Sequence, residues 1–382
     1  MKVVAKLFRA LLLPFAFAVV WLSRRTKRPI RFGEFNCQRL GHMVGNSECY
    51  LCERDTGMQP DTIDIWLSVP GHRANRVIER KYKKLLRVWP AWVSQTIYAV
   101  NSVFPQPLNH LVLNSQVDRD IHGLWKTHGP HIGFTFSERR RGENLLLDLG
   151  MPLDAKWVCL IVRDATYLQR HFPEANFSYH DYRDADISEY LPAVVELMRR
   201  GYYIVRMGDT VAKHMNVKHS KIIDYALNGR TEFGDLYLGA HCAFCLGTPT
   251  GFMAIPQAFN RPVAVTDMVP LGYSPTWSDG LMIWKHHVKD GKRMSLREIF
   301  EADLGLATLG PLFQKAGVTL ENNTSQEIFD VAMEMADRVE GKVDDTPQPA
   351  FWDNFPQLVA NGGPVNKVTR IRIGREFLKG YQ

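Results

Sequence analysis

Past residue 150 the chain alternates between short apolar runs and longer amphipathic stretches. Trp157-Val158-Cys159-Leu160-Ile161-Val162 contains no charged position, the pattern of a strand covered on both faces in a parallel sheet. Residues 187–200 follow with helical spacing and stop at Gly201, a residue suited to the left-handed conformation after a helix. Residues 202–206 and 242–246 read as further strands. The second runs through Gly247-Thr248-Pro249-Thr250-Gly251 into a helix over 252–259, and 262–265 is one more strand. A short helix opens over Asp235 to Leu238. Strand and helix taking turns in this way predicts an α/β fold built on parallel sheets.

The first half is less regular. Ile30 to Phe35 reads as a short strand leading through a turn, residues 36–42, to a helix that runs through Gly45 to Cys52. Residues 62–69 alternate like a strand, and 75–88 read as a helix with charges outward. From 89 to 136 aromatic, Pro and His residues leave no assignable pattern. The polar stretch 137–143 (SERRRGE) reads as a domain boundary. A length of 382 residues suits two domains. We expect an N-terminal segment over 1–29, a first domain over 30–140 and a second over 150–323. A helix at 325–339 and a Pro- and Asn-rich tail complete 324–382, and by analogy with two-domain enzymes this part is expected to return to the first domain.

Charge changes this picture at one end only. The net charge is +7, yet Lys2, Lys6, Arg9, Arg24, Arg25, Lys27, Arg28 and Arg31 all precede the first acidic residue, Glu34. Those eight cations cover the excess, so the remainder is near neutral and a nucleic-acid groove is not indicated. Between them runs ALLLPFAFAVVWL, residues 10–22, which covers about 20 Å as a helix against a hydrocarbon core of ~30 Å. Broken by Pro14 and flanked by bases, it reads as an interfacial anchor on an anionic membrane; an uncleaved signal anchor or a buried first helix are the alternatives. The Cys49/Cys52 and Cys242/Cys245 pairs have metal-site spacing. Strand geometry would point residues three apart to opposite faces, so both pairs read as small buried hydrophobes and no metal is expected.

Candidate chemistry gathers at strand ends. Gly247 to Gly251 joins a strand to a helix, where free amides, small residues and the hydroxyls of Thr248 and Thr250 suit a phosphate; one threonine could instead cap the helix. Arg163 and Asp164 end the 157–162 strand, and Arg206 ends the next, the edge at which open α/β sheets collect ligands. Arg183 stands among charges in residues 180–186, where Asp186 suits a helix cap, and Lys213 follows. Arginines at two strand ends beside a phosphate-ready loop point to a nucleotide diphosphate. The bland alternative is solvated strand-end charge. A nicotinamide oxidoreductase would need a G-x-G-x-x-G turn after its first strand, and Gly41-x3-Gly45 does not match.

With these residues the sequence resembles a bacterial family of uncharacterised glycosyltransferases. The resemblance rests on Arg39-Leu-Gly-His42-x3-Asn46-x-Glu48-x-Tyr50-Leu51, Val162-Arg163-Asp164-x2-Tyr167-Leu168 and Tyr182-Arg183-x2-Asp186-Ile-x2-Tyr190-Leu191-Pro192. It continues in Gly201-Tyr-x3-Arg206-Met207-Gly208, Ile222-x-Asp224-Tyr225-Ala226 and Gly247-Thr248-x-Thr250-Gly251. The C-terminal half is also similar, more distantly, to the fucosyltransferase superfamily, departing from it at Ile161, where a histidine is common. The resemblance implies two Rossmann-like domains facing a cleft, the GT-B type, with a nucleotide-diphosphate sugar in the second domain. It implies transfer to a hydroxyl of a lipid-linked or cell-surface polysaccharide acceptor, with inversion and without a metal, although Asp184-x-Asp186 has metal-motif spacing. No cofactor is implied beyond the donor, for which a GDP-linked sugar is one candidate. Arg163, Arg183, Arg206, Lys213, Gly247, Thr248, Thr250 and Gly251 would bind the donor, while His42, Glu48 and Asp164 are the candidates for the general base. Such an enzyme would work at the cytoplasmic face of the inner membrane, held peripherally through residues 2–31. The competing reading is a non-catalytic sugar-nucleotide or glycan-binding subunit of a membrane assembly.

Overall fold

The structure, a computed structural model, describes residues 2–103, 111–112, 119–171, 174, 178–215, 217–343, 348, 359–360, 363–364 and 368–381. Part of the unassigned 89–136 stretch and most of the Pro- and Asn-rich tail lie outside them. The chain forms two compact units, Met1–Asp120 with Leu124–Ile132, and Ile121–Gly123 with Gly133–Gln382.

In the first unit a parallel sheet has the order β3-β2-β1-β4, from β1 (Ile30–Phe35), β2 (Ile63–Ser68), β3 (Val88–Trp89) and β4 (Leu111–Val112). Helices α1 (Lys2–Ser23), α2 (Leu40–Asp55), α3 (Arg76–Tyr82), α4 (Ala91–Ser102) and the single turn α5 (Trp125–His128) surround it. α3 is shorter than its sequence pattern predicts: Asn75 caps its start, accepting hydrogen bonds from the amides of Val77 and Ile78, and the helix ends at Tyr82. The N-terminal segment is not separate from the first domain. Ala16 and Val20 of α1 are fully buried with Phe32, Ile65, Leu67, Val93, Ile97 and Val100. Arg24 ties the end of α1 to α4 by donating to Asn101 Oδ1 at 3.1 Å. Among the described residues no helix is long and apolar enough to cross a membrane.

The second unit holds a seven-stranded parallel sheet. Its order is the short strand Arg372–Ile373, then β10 (Gly280–Trp284), β9 (Val263–Met268), β8 (Phe244–Gly247), β5 (Trp157–Ile161), β6 (Tyr203–Arg206) and β7 (Ile222–Ile223). The expected α/β class with parallel sheets is what the structure shows. β5 is buried along its whole length, as its uniformly apolar sequence requires. Around the sheet run α6 (Phe136–Asp148), α7 (Thr166–His171), α8 (Leu191–Arg199), α9 (Glu232–His241), α10 (Ala254–Ala258), α11 (Leu296–Glu301), α12 (Gly310–Lys315) and α13 (Ser325–Val339). Gly201 follows α8 with φ of 99°, as its position predicted. β11 (His286–Lys289), β12 (Lys292–Arg293) and β13 (Val318–Glu321) make a separate antiparallel sheet.

Two expectations change. The polar stretch 137–143 is no boundary but the body of α6, started by a reciprocal cap between Thr135 and Glu138. Its Gly142 is packed so closely on the Tyr237 ring that a Cβ there would lie 1.9 Å from it. α13 belongs to the second unit, where it packs on α8, β10 and the C-terminal helix Arg375–Lys379.

Candidate functional site

The strand order fixes where the second unit can hold a ligand. From β5 the chain winds outward through β6 and β7, then returns to β8 on the other side of β5 and winds outward again through β9 and β10. β5 and β8 therefore flank the topological switch point, at whose carboxyl ends open parallel sheets hold their ligands. Arg163 stands just past β5, and the loop to Gly251 starts from Gly247, the last residue of β8.

These segments are bonded directly to one another. The Arg163 amide donates to Thr248 Oγ1 at 2.8 Å, and the Thr248 amide donates to Ile161 O at 3.0 Å. Arg163 Nε donates to Asp184 Oδ1 at 3.0 Å, while Arg183 places an Nη on the Pro249 carbonyl at 2.9 Å. Behind them lies a group that the sequence reading missed. Lys285, between β10 and β11 and 2% exposed, donates to the Asp184 carbonyl at 2.8 Å and to Asn322 Oδ1 at 2.6 Å. Burial lowers its pKa, opposed by the Asp267 and Asp184 carboxylates. Burial raises that of Asp184, opposed by Arg163. Arg163 thus holds the side chain and Lys285 the carbonyl of Asp184, while Arg183 holds the adjoining loop, whose Gly251 begins a helical turn, where the first amides lack an intrahelical acceptor. The Thr250 hydroxyl at that turn is buried and has no hydrogen-bond partner among the described residues. The signal for Lys285 was available: a lone lysine interrupts the apolar run Leu281-Met282-Ile283-Trp284 before His286.

Other expected donor-site residues do structural work. Gly247 has φ of 145°, and a Cβ there would sit 1.8 Å from Ile161 O, so this glycine serves the approach of β8 to β5 rather than that of a ligand. Thr248 is fully buried and spends its hydroxyl on the Arg163 amide. Arg206 is 3% exposed and donates to the Lys213 carbonyl and, at 3.3 Å, to Asp224 Oδ2, bracing the loop after β6. Lys213 is exposed and pairs with Asp186 at 2.6 Å, and Asp186 accepts from the Ser188 amide as the expected cap. Asp164 is a clip between loops, accepting from the amides of Thr166 and Ala212 at 2.9 Å each.

In the first unit His42 occupies the first turn of α2 and is half-buried. Glu48, on the same helix, is fully buried. It accepts from the Tyr82 hydroxyl at 2.7 Å, from the His131 amide at 3.2 Å and from His131 Nδ1 at 2.8 Å, while His131 Nε2 reaches Asp55 at 3.1 Å. Burial alone would lower the His131 pKa, but these two carboxylates outweigh it and the pKa is raised. Glu48 is thereby a structural charge, closed off from an incoming hydroxyl. Cys49 and Cys52 lie on α2, not on a strand, so the geometric argument against their sharing a face fails, though both are buried. Cys52 brings its sulfur within 4.8 Å of ligand atoms of Glu48 and His131, a grouping that could accept a metal ion. The ring bracketed by Glu48 and Asp55 is already satisfied as an imidazolium.

No family model and no curated protein matches the chain. Similar solved structures include a glycosyl transferase family 9 protein from Veillonella parvula, at 10% identity over 82% of this chain and 97% of that one, with a TM-score of 0.43. Another is the ADP-heptose lps heptosyltransferase II of E. coli, at 13% identity over 68% and 91%, with a TM-score of 0.38. The wall teichoic acid polymerase TagF follows at 10% identity over 92% of each chain, with a TM-score of 0.32. A likeness to the fucosyltransferase superfamily is not shown. At such identities and TM-scores these likenesses do not define the chemistry, which rests on the chain's own topology and residues.

Proposed function

We propose that the chain is a glycosyltransferase. It takes a sugar from a nucleotide-diphosphate donor held by the second unit and passes it to a hydroxyl of a lipid-linked or cell-surface polysaccharide. One observation carries this reading: Arg163 and Arg183, backed by Lys285, meet the Gly251 turn at the switch point of a parallel sheet. A diphosphate leaving group develops negative charge, and fixed cations with free amides can stabilise it without a metal. Lys285 acts through Asp184, holding its carbonyl and adding positive field, rather than by touching the donor. With Glu48 and Asp164 committed to structural bonds, His42 is the remaining base candidate, and inversion by direct displacement is the expected course.

The test is a thermal-shift panel of the full chain against GDP, UDP, ADP, CMP and TDP, with and without EDTA. A ligand at 100 times its dissociation constant stabilises by about 2.7 kcal/mol. One nucleotide should raise the midpoint, EDTA should leave the shift unchanged, and Arg163→Ala should abolish it. Absence of a shift with every nucleotide would overturn the donor site. Slow hydrolysis of the matching sugar nucleotide would then separate an enzyme from a binding subunit.

A further inference from the structure

The first unit carries a cavity of about 530 Å³ that neither the sequence nor the transferase reading uses. It lies between α1 and α4 at the carboxyl ends of β1 and β2. Ala10 and Leu13 of α1, Ala99 of α4 and Val69 make an apolar side, while Glu34 and Thr96 make a polar one. Thr96 is 5% exposed, and its buried hydroxyl has no hydrogen-bond partner among the described residues. A buried hydroxyl left unpaired in a cavity wall costs free energy that a polar ligand atom would recover.

The surface beside the cavity is unusual for a water-facing helix. α1 buries only a strip through Ala16 and Val20, leaving Leu11 78%, Phe15 51%, Trp21 48% and Leu22 55% exposed. At the end of the same helix Arg25 lies over the Trp21 ring at 3.4 Å, and Arg25, Lys27 and Arg28 are exposed. The first 33 residues contain no acid. Apolar side chains and an interfacial tryptophan on one helix, followed just past its end by exposed cations of which Arg28 also pairs with Asp61, match the headgroup layer of an anionic bilayer. With one face in the core of its own unit, α1 cannot be a lipid-surrounded span.

We propose that α1 lies in the interface of an anionic membrane and that the α1/α4 cavity receives the hydrocarbon chain of one lipid from it, with the lipid's polar end toward Glu34 and Thr96. In naming the acceptor as lipid-linked this rests on the transferase reading, but lipid binding itself needs no donor and is measured without one.

The full chain is co-sedimented with phosphatidylcholine vesicles, with and without phosphatidylglycerol at roughly a third of the lipid. Binding should be about tenfold stronger with the anionic lipid, and the double variant Leu11→Glu/Phe15→Glu should lose about tenfold of it. Both positions face away from the core, so the melting midpoint should not change. A phosphatidylglycerol bearing a photoreactive acyl chain should crosslink to α4 within residues 94–99, and Ala99→Trp, which fills the cavity from an exposed position, should remove that crosslink. Equal retention on both vesicles or on neither would overturn the proposal, as would crosslinking indifferent to Ala99→Trp. A dimer that the double variant dissociates would show instead that a second copy covers α1. A nucleotide shift without lipid binding would leave the donor site standing and refute this inference alone.

Discussion

The two units build a parallel sheet in the same way and arm its edge in opposite ways. In the second unit the switch point ends in Arg163, Arg183 and Lys285, each held by a protein carbonyl or carboxylate. In the first, the end of β1 presents one partly buried carboxylate, Glu34, at the wall of a largely apolar cavity. The edge of the second unit suits an anionic ligand, that of the first an amphipathic one. The difference shows that an α/β scaffold specifies where a ligand binds, while the few side chains at the strand ends specify its charge.

The comparison can be broken most severely at the β5/β8 junction. Gly247→Val should cost about 3 kcal/mol or more, because the added side chain meets the Ile161 carbonyl; urea unfolding should show the second unit lost. Glu48→Gln should destabilise the first unit by about 3 kcal/mol, since it leaves His131 and Tyr82 facing a neutral group in a buried site, while nucleotide affinity at low denaturant stays the same. Arg183→Ala should weaken nucleotide binding by roughly tenfold or more, the worth of one charge-assisted contact, without a comparable loss of stability.

Smaller effects sharpen the contrast. The folded-state pKa of His131 is raised, so its stabilisation is present in full below the free-imidazole value of about 6.5 and is lost as the pH rises through the raised value. Urea midpoints across that window should decline with pH in the wild type and stay level in His131→Leu. Lys213→Ala should change stability by less than about 0.5 kcal/mol and leave nucleotide affinity within about twofold, because its ion pair with Asp186 is exposed. A large loss of affinity in Lys213→Ala would place the donor nearer the loop after β6 than we propose.

Local pattern was enough for β1, β5 and α13, the first a short run of mixed character before a turn, the second an unbroken apolar run and the third a helix capped by Thr324. It was also enough to place Arg163 and the 247–251 loop at strand ends and to single out Arg183 in the charged stretch that follows. It failed where polar faces mimic linkers, as in α6. It failed too where charge is buried by distant partners. Lys285 meets Asp184 from 101 residues away, and Glu48 meets His131 from 83.

What the sequence determined by itself is the alternation of strand and helix, the parallel sheets it implies and the basic, apolar start of the chain, because each depends on neighbours in the chain. Only the tertiary structure decided which charges face a ligand. Arg163 and Arg206 end adjacent strands, and the sequence gives them the same standing. Packing leaves Arg163 at the switch point and buries Arg206 against Asp224. Burial and partner geometry are long-range properties, and no local pattern of residues carries them.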